Sequence, residues 1–339
     1  MSGSLELVRP LPGVGFGGRL SIAGGAPALI DAAEHDPTGL ARALADSSGL
    51  LLLPDMTAMI DTPDLLVRLS RAFGPEVEDY RQTLTSLNMV HPAVPEIFIV
   101  SNVPPVNRPP PRRPDPPLTA DGKLPVQFPH RRGWHTDQSY RRPPPDISLF
   151  LAVTPVTQGS GQTLFADTTA AYEALPPDLK ALADTHDGIH VSLSAGRGRN
   201  DVLDGKTPRA LGPLEQPQRQ PLVRVHPVTG KRALYTCEYG QMDWVEGPIA
   251  GLSPGVHGEG AKLLEALVAH ATQRQFVYAH EWTRGDVLVW DNRCLIHAAT
   301  WYDHEKEQRI MWRTTVSGNP GALYAGENKS WLPLAQAAE

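Results

Sequence analysis

Cysteine is nearly absent from this chain: Cys237 and Cys294 are the two it has in 339 residues. One pair cannot build a disulfide framework, and such sparse use fits a reducing compartment, so a cytoplasmic location is expected. Long apolar runs are missing too. No stretch reaches the roughly 18 apolar residues of a membrane-crossing helix, so no membrane span is expected. The N-terminus lacks a basic segment leading into an apolar one, and no secretion signal is expected. No basic block dominates either. The formal net charge is −6 and the pI near 6.1, which argues against nucleic acid as the main partner. Apolar residues make up 41% and charged residues 20%, the ordinary balance of a globular chain long enough to bury a sizeable core.

Proline, by contrast, is in surplus at 34 residues, about twice ordinary usage. Eight prolines fall within the fourteen positions 104–117, beside Arg108, Arg112 and Arg113. With φ fixed and no N–H to donate, that density excludes helix and central strand. A loop insertion at about 104–129 is expected, either a plain surface loop or one that closes over a nearby site.

Elsewhere short apolar runs alternate with turn signals. Strands are expected at Leu5 to Val8, Gly18 to Ile22, Leu50 to Leu53, Ile97 to Val100 and Ile147 to Val153. Others are expected at Gly188 to Leu193, Leu222 to His226, Arg232 to Thr236, Phe276 to Ala279, Asp286 to Trp290 and Arg309 to Val316. Helices are expected from Asp36, with Pro37 in the first helical position, and around Leu65 to Phe73. Three more are expected at Thr168 to Leu175, Pro177 to Thr185 and Gly260 to Thr272. The first 35 residues are weakly patterned, and Ser194 to Gln220 reads as a polar loop. The balance predicts a mainly β fold with flanking helices, a barrel or double-sheet roll, in a single domain over 1–339.

The chemistry concentrates around Trp134-His135-Thr136-Asp137. On an extended backbone His135 and Asp137 share a face. An imidazole and a carboxylate together are two thirds of a two-histidine, one-carboxylate iron site. His297, at the end of an apolar run, is the candidate third ligand; a buried core histidine is the alternative. Three protein ligands leave positions for dioxygen and for a bidentate 2-oxo acid. The distal carboxylate of such an acid needs a fixed cation, and arginine pairs a carboxylate through two hydrogen bonds. Arg309 and Arg313, four apart at the opening of a predicted strand, can share a face. Thr163 is a further candidate beside the cosubstrate, or else an ordinary strand threonine.

Six segments taken in order add a resemblance. They are Trp134-His135-Thr136-Asp137, Gly161-Gln162-Thr163-Leu164, Tyr172-Glu173-Ala174-Leu175, His226-Pro227-Val228-Thr229-Gly230, Trp290-Asp291-Asn292-Arg293 and Arg309-Ile310-Met311-Trp312-Arg313. Over roughly residues 35 to 320 the chain resembles the taurine dioxygenase and 2,4-dichlorophenoxyacetate dioxygenase family. Those are iron(II), 2-oxoglutarate-dependent enzymes on a double-stranded β-helix (jelly-roll) core. The resemblance implies that His135, Asp137 and His297 hold Fe(II), and that Arg309 with Thr163 binds 2-oxoglutarate. It implies that Arg313 faces an anionic substrate, that Trp134 packs beside the metal ligands, and that His226 and Thr229 form a structural turn; Arg313, Arg131 and Trp134 are the expected substrate-binding residues.

There are departures. The gap from His297 to Arg309 is one residue longer than the family pattern, and the proline-rich segment is much longer than in the taurine enzyme. That enzyme's substrate histidine and tyrosine have no clear counterpart near Ser86 to Asn88. Arg131 stands where it has an asparagine, so taurine itself is not the expected substrate. Arg131 and the arginines of the proline-rich segment suggest a carboxylate, sulfonate, sulfate or phosphate. The expected function is oxidation of a C–H bond using O2 and 2-oxoglutarate, with release of succinate and CO2, by a homo-oligomer. A desaturating or cyclising oxidase and a non-catalytic binding protein on the same fold are the alternatives. With Asp137 filling the position that halogenases of this kind leave to a small residue, halogenation is not expected.

Overall fold

The computed structural model describes residues 9–36, 38–83, 85–113, 133–238 and 240–316. In chain order the strands are β1 (Arg9–Pro10), β2 (Gly18–Arg19), β3 (Leu50–Leu53), β4 (Phe98–Ser101), β5 (Ile147–Thr154), β6 (Thr163–Asp167) and β7 (Asp187–His190). There follow β8 (Gln218–Pro221), β9 (Val223–Val225), β10 (Arg232–Leu234), β11 (Val277–His280), β12 (Val287–Asp291), β13 (Leu295–Ala299) and β14 (Ile310–Val316). A seven-stranded sheet runs β1-β2-β3-β12-β5-β14-β4, and a three-stranded sheet runs β11-β6-β13.

Side-chain alternation explains how these sheets stack. Leu149 and Leu151 of β5 and Val287 and Val289 of β12 face outward, onto a layer that includes Leu29, Ile30, Leu40, Leu44, Leu66 and Leu69. Those six come from the helices Gly25–His35, Gly39–Asp46 and Asp64–Arg71. The alternate residues Phe150, Leu288, Trp290 and Met311 face inward and meet Phe165 and Leu295 of the smaller sheet. Leu164, Ala166, Ile296 and Ala298 cover that sheet's outer face, against Ala171, Leu263, Leu264 and Leu267. The order helix, sheet, sheet, helix is that of a jelly-roll with both faces covered. It also explains why Leu50-Leu51-Leu52-Leu53 is apolar throughout: β3 is buried on both sides.

Several expectations change. A helix occupies Gly25–His35, with Ala26, Leu29, Ile30 and Ala33 buried at helical spacing; the glycines around it hid that pattern. The next helix starts at Gly39, directly after Thr38, whose N–H donates to the Asp36 carboxylate at 3.2 Å; Pro37 lies outside the described residues. Within Ser194 to Gln220 the chain forms the helix Arg199–Leu203 and strand β8. His135 to Asp137 is not a strand: His135 alone makes a β-bridge, to His297, and Gln138 turns the chain away at φ 48°. Leu5 to Val8 and Arg131 lie outside the described residues. Of the proline-rich segment, residues 104–113 are described, and they form neither helix nor strand. Among the described residues no helix is long and apolar enough to cross a membrane.

The connection between β12 and β13 is anchored by buried charge. His226 Nδ1 accepts the N–H groups of Val228 and Thr229 at 3.2 and 3.1 Å, so the ring proton sits on Nε2 and donates to Asp291 Oδ2 at 2.9 Å. The turn expected at His226 and Thr229 is therefore present, and its histidine also reaches the other sheet's connection. Arg293 closes on the same carboxylate through Nε (2.8 Å) and Nη2 (2.6 Å). Gly49 passes so close that a Cβ there would stand 2.6 Å from Cys294 Sγ, and its φ of +83° suits glycine alone. Burial alone would raise the Asp291 carboxyl, but the Arg293 charge holds it well below the usual range.

A group depressed in the folded state stabilises the fold above its unfolded value, about 3.9, and that contribution is lost as pH falls through and below it. Asp291→Ala should cost about 3 kcal/mol at neutral pH, because it leaves the buried Arg293 guanidinium with only the longer Asp146 contact, at 3.4 Å, and takes away the acceptor of His226. Denaturant titration checks this, and the difference between variant and native protein should shrink below about pH 4.

Candidate metal centre

β13 turns His297 toward the space between the sheets, opposite Phe165 of β6. His135 joins it through two backbone hydrogen bonds, His135 N–H to His297 O at 2.9 Å and the reverse at 2.8 Å. This narrow antiparallel pair sets the imidazoles side by side, with ring centroids 4.2 Å apart. Asp137 then turns back toward them, its Oδ1 lying 3.9 Å from His297 Nε2. One donor atom from each of the three residues lies within 4.8 Å of the others. Asp137 and His297 are buried and His135 is half-buried, so the group opens to solvent on the His135 side.

Protonation suits a cation. His135 Nδ1 lies 2.7 Å from the Gly133 carbonyl; a carbonyl only accepts, so the proton belongs on Nδ1 and the Nε2 lone pair is free. Burial lowers the pKa of His135, and it takes His297 down to about 3 with help from neighbouring His135. Both imidazoles are therefore neutral. Burial would raise the Asp137 carboxyl, but the Arg313 charge outweighs it and holds the group at about 2. Two neutral imidazoles and one carboxylate, each with a ligand atom within 4.8 Å of the others, fit a divalent first-row metal.

The arginines differ in their surroundings. Arg309 donates its backbone N–H to Asn102 Oδ1 at 2.8 Å, while Nε and Nη2 of its buried guanidinium have no partner among the described residues. Its neighbours are the rings of Phe150 and Tyr302, at 5.8 and 5.9 Å. Burial lowers its pKa to about 10, which leaves it cationic at neutral pH. A buried cation without a counter-ion is costly, so this one calls for an anionic ligand. Thr163 lies in the same inner region: its Oγ1 accepts from Trp282 Nε1 at 3.0 Å, and the Trp282 ring stands 5.4 Å from Phe150. That hydroxyl keeps its own proton to donate.

Arg313 stands on the inward face with Met311, beyond a register shift between Ile310 and Met311, and its guanidinium is ion-paired with Asp137 Oδ1. It also lies 4.9 Å from the Phe98 ring. Arg108, on the described part of the proline-rich segment, donates its backbone N–H to Ser101 O at 2.8 Å. Its charge acts on Arg313, Asp137 and His135. Trp134 is fully buried in the outer cluster with Leu164 and Trp244, and its carbonyl accepts the Glu238 N–H at 2.7 Å. It packs behind the candidate ligands.

Sequence reasoning passed over two polar residues here, Ser148 and Asn292. Ser148 Oγ donates to Asp137 Oδ2 at 2.8 Å. Its signal was a lone hydroxyl inside the otherwise apolar Ile147 to Val153. Asn292 lies inside Trp290-Asp291-Asn292-Arg293, where no neighbour in sequence gives it a role. A second group of metal-ligand types, His226, Asp291 and Cys294, is filled by the Arg293 guanidinium, which excludes another cation.

A family profile described as "Taurine catabolism dioxygenase TauD, TfdA family" matches residues 8–315. The (S)-phenoxypropionate/alpha-ketoglutarate-dioxygenase of Sphingobium herbicidovorans is 37% identical over 194 residues, covering 56% of this chain and 63% of that protein. The alpha-ketoglutarate-dependent 2,4-dichlorophenoxyacetate dioxygenase of Cupriavidus pinatubonensis is 36% identical over 184 residues, covering 54% of this chain and 59% of that protein. These matches span about three fifths of the curated relatives' length. The crystal structure of AAD-2 in complex with Mn(II) and N-oxalylglycine superposes with a TM-score of 0.64 at 26% identity, covering 92% of this chain and 97% of that one.

Calorimetric titration with Mn(II) tests the group of three. His135→Ala, Asp137→Ala and His297→Ala should each weaken binding by at least about 100-fold, since losing a mere outer-shell partner already costs 10–100-fold. Far-ultraviolet circular dichroism should be unchanged. Near-native affinity in any one variant would remove that residue from the site.

Proposed function

The chain belongs to the TauD/TfdA family of dioxygenases, and from that premise we propose that it is an iron(II)- and 2-oxoglutarate-dependent dioxygenase acting on a small anionic substrate. The reaction converts the substrate C–H bond, O2 and 2-oxoglutarate into a C–OH group, succinate and CO2. The observation that carries this reading is the buried Arg309 guanidinium, whose Nε and Nη2 have no partner among the described residues, in the same inner region as Thr163. A binding protein would have no use for two neutral imidazoles, a carboxylate and a waiting cation together.

In this reading His135, Asp137 and His297 hold Fe(II), which when bound couples the oxidative decarboxylation of 2-oxoglutarate to reduction of dioxygen. Arg309 pairs the distal carboxylate of 2-oxoglutarate, and the Thr163 hydroxyl, its oxygen already engaged by Trp282, donates to it. Phe165 and Trp290 flank His297 at 5.9 and 4.9 Å and keep water from that side. Arg313 is the main anchor for the substrate anion, with Arg108 adding positive potential at the open side. Phe98 and Tyr80, with ring centroids 5.3 Å apart, offer an aromatic floor beside Arg313. The two curated relatives are named for phenoxypropionate and 2,4-dichlorophenoxyacetate, so phenoxyalkanoates are the first substrate class to assay. The proposal includes one dioxygenase domain over 1–339 with its insertion at about 104–129, a cytoplasmic location and a homo-oligomer. Support for the location is that both cysteines are free and buried.

The test is succinate formation from 2-oxoglutarate with (S)-phenoxypropionate or 2,4-dichlorophenoxyacetate, against the corresponding neutral amides. Stimulation by the acids and not by the amides is expected; equal turnover of both would refute an anionic substrate. Arg309→Ala should raise the KM for 2-oxoglutarate about ten- to a hundredfold, the worth of a charge-assisted pair. Arg313→Gln should raise the KM of the phenoxyalkanoate and leave that of 2-oxoglutarate nearly unchanged.

A further inference from the structure

Asp137 presents two oxygens, and the chain treats them differently. Oδ1 lies toward His297 Nε2 and Arg313. Oδ2 points the other way, to Ser148 Oγ at 2.8 Å. Ser148 in turn accepts from Asn292 Nδ2 at 3.0 Å. Asn292 cannot be turned over, because its Oδ1 faces two groups that only donate: the Trp290 indole N–H at 3.0 Å and the Asp137 backbone N–H at 3.2 Å. Thr136 Oγ1 donates its single proton to the Asn292 backbone carbonyl at 2.8 Å and lies 3.3 Å from Oδ1. With its amide fixed, Asn292 donates to Ser148, and the Ser148 proton has one place left to go, the Asp137 carboxylate.

The hydrogen bonds thus form a closed, one-way circuit. It leaves Asp137 through its backbone N–H, passes Asn292 and Ser148, and returns to Asp137 at Oδ2. Ser148, Asn292 and Asp137 are 0%, 1% and 2% exposed, so water does not compete for any member. Its supports are rigid: Ser148 lies in β5, cross-strand from Trp290 of β12 and Thr315 of β14. Asn292 follows β12 directly and donates its own backbone N–H to Asp146 O at 2.7 Å. The loop bearing Asp137 has no strand of its own, and this circuit supplies the order it lacks.

We propose that Ser148, which engages Asp137 Oδ2, and Asn292, which fixes the Ser148 hydroxyl, are positioning residues that leave Asp137 Oδ1 as the oxygen offered to a metal. The proposal rests on the reading of His135, Asp137 and His297 as metal ligands. A carboxylate whose second oxygen is held by a hydroxyl cannot swing to bind through both oxygens. One coordination position that a bidentate carboxylate would take is thereby kept for a cosubstrate or dioxygen.

The test is Mn(II) affinity by calorimetry, run beside thermal melting of the metal-free protein. Ser148→Ala should bind Mn(II) about 10–100-fold more weakly, the usual cost of losing the partner of a ligand. Ser148→Thr, which keeps the hydroxyl and suits a strand, should restore near-native affinity. Asn292→Ala should weaken binding at least as much as Ser148→Ala. A purely structural role would lower the melting temperature and leave the Mn(II) affinity of the folded protein native. Native affinity in Ser148→Ala, or Ser148→Thr no better than Ser148→Ala, overturns the proposal. His297→Ala separates the two levels. If it binds Mn(II) like the native protein, the ligand reading fails. If it loses Mn(II) while Ser148→Ala does not, only the positioning role fails.

Discussion

Two backbone hydrogen bonds between His135 and His297 are the contact on which the site depends. Without them the 135–137 segment has no strand partner and the imidazoles have no reason to meet. A single antiparallel bridge is a weak element by itself. It holds because β13 is already locked into the smaller sheet, with Leu295 and Ile296 buried on opposite faces. Apolar burial, the largest favourable term in folding, therefore fixes one imidazole, and the bridge brings the second to it.

Charge balance then separates the buried arginines by role. Arg293 is fully engaged by Asp291, and Arg313 is paired with Asp137. Among the described residues, Arg309 is the one of these three whose buried guanidinium has no carboxylate against it; its neighbours are the rings of Phe150 and Tyr302. The cost of burying it is tolerable if an anion supplies the missing partner. The same logic distinguishes the two groups of metal-ligand residues. His226, Asp291 and Cys294 already surround a cation of the protein's own, whereas His135, Asp137 and His297 bring together two lone pairs and a carboxylate that suit an added one.

Much of this was legible in the sequence. The apolar runs at Leu50 to Leu53, Ile147 to Val153 and Asp286 to Trp290 became β3, β5 and β12, because period and length mark a strand covered on both faces. Arg309 precedes β14, and a register shift separates Ile310 from Met311, so the four-residue spacing on a regular strand does not describe this pair. Hydrogen bonds between distant segments left no periodic trace. The extended geometry expected at His135 to Asp137 gave way to one bridge and a turn at Gln138, since nothing local specifies a partner 160 residues away. Ser148 and Asn292 were silent for the same reason: each acts through an atom supplied by another segment. The helix Gly25–His35 was hidden by the glycines at its start, although its apolar spacing was present.

The central claim is that the three candidate ligands and Arg309 make one site, in which a metal and 2-oxoglutarate bind together. Anaerobic addition of Fe(II) and then 2-oxoglutarate to the native protein tests it most directly. The account predicts a weak visible charge-transfer band that appears only when both are present and saturates with 2-oxoglutarate equimolar to protein. No band, or an equal band from the Asp137→Ala protein, would contradict it.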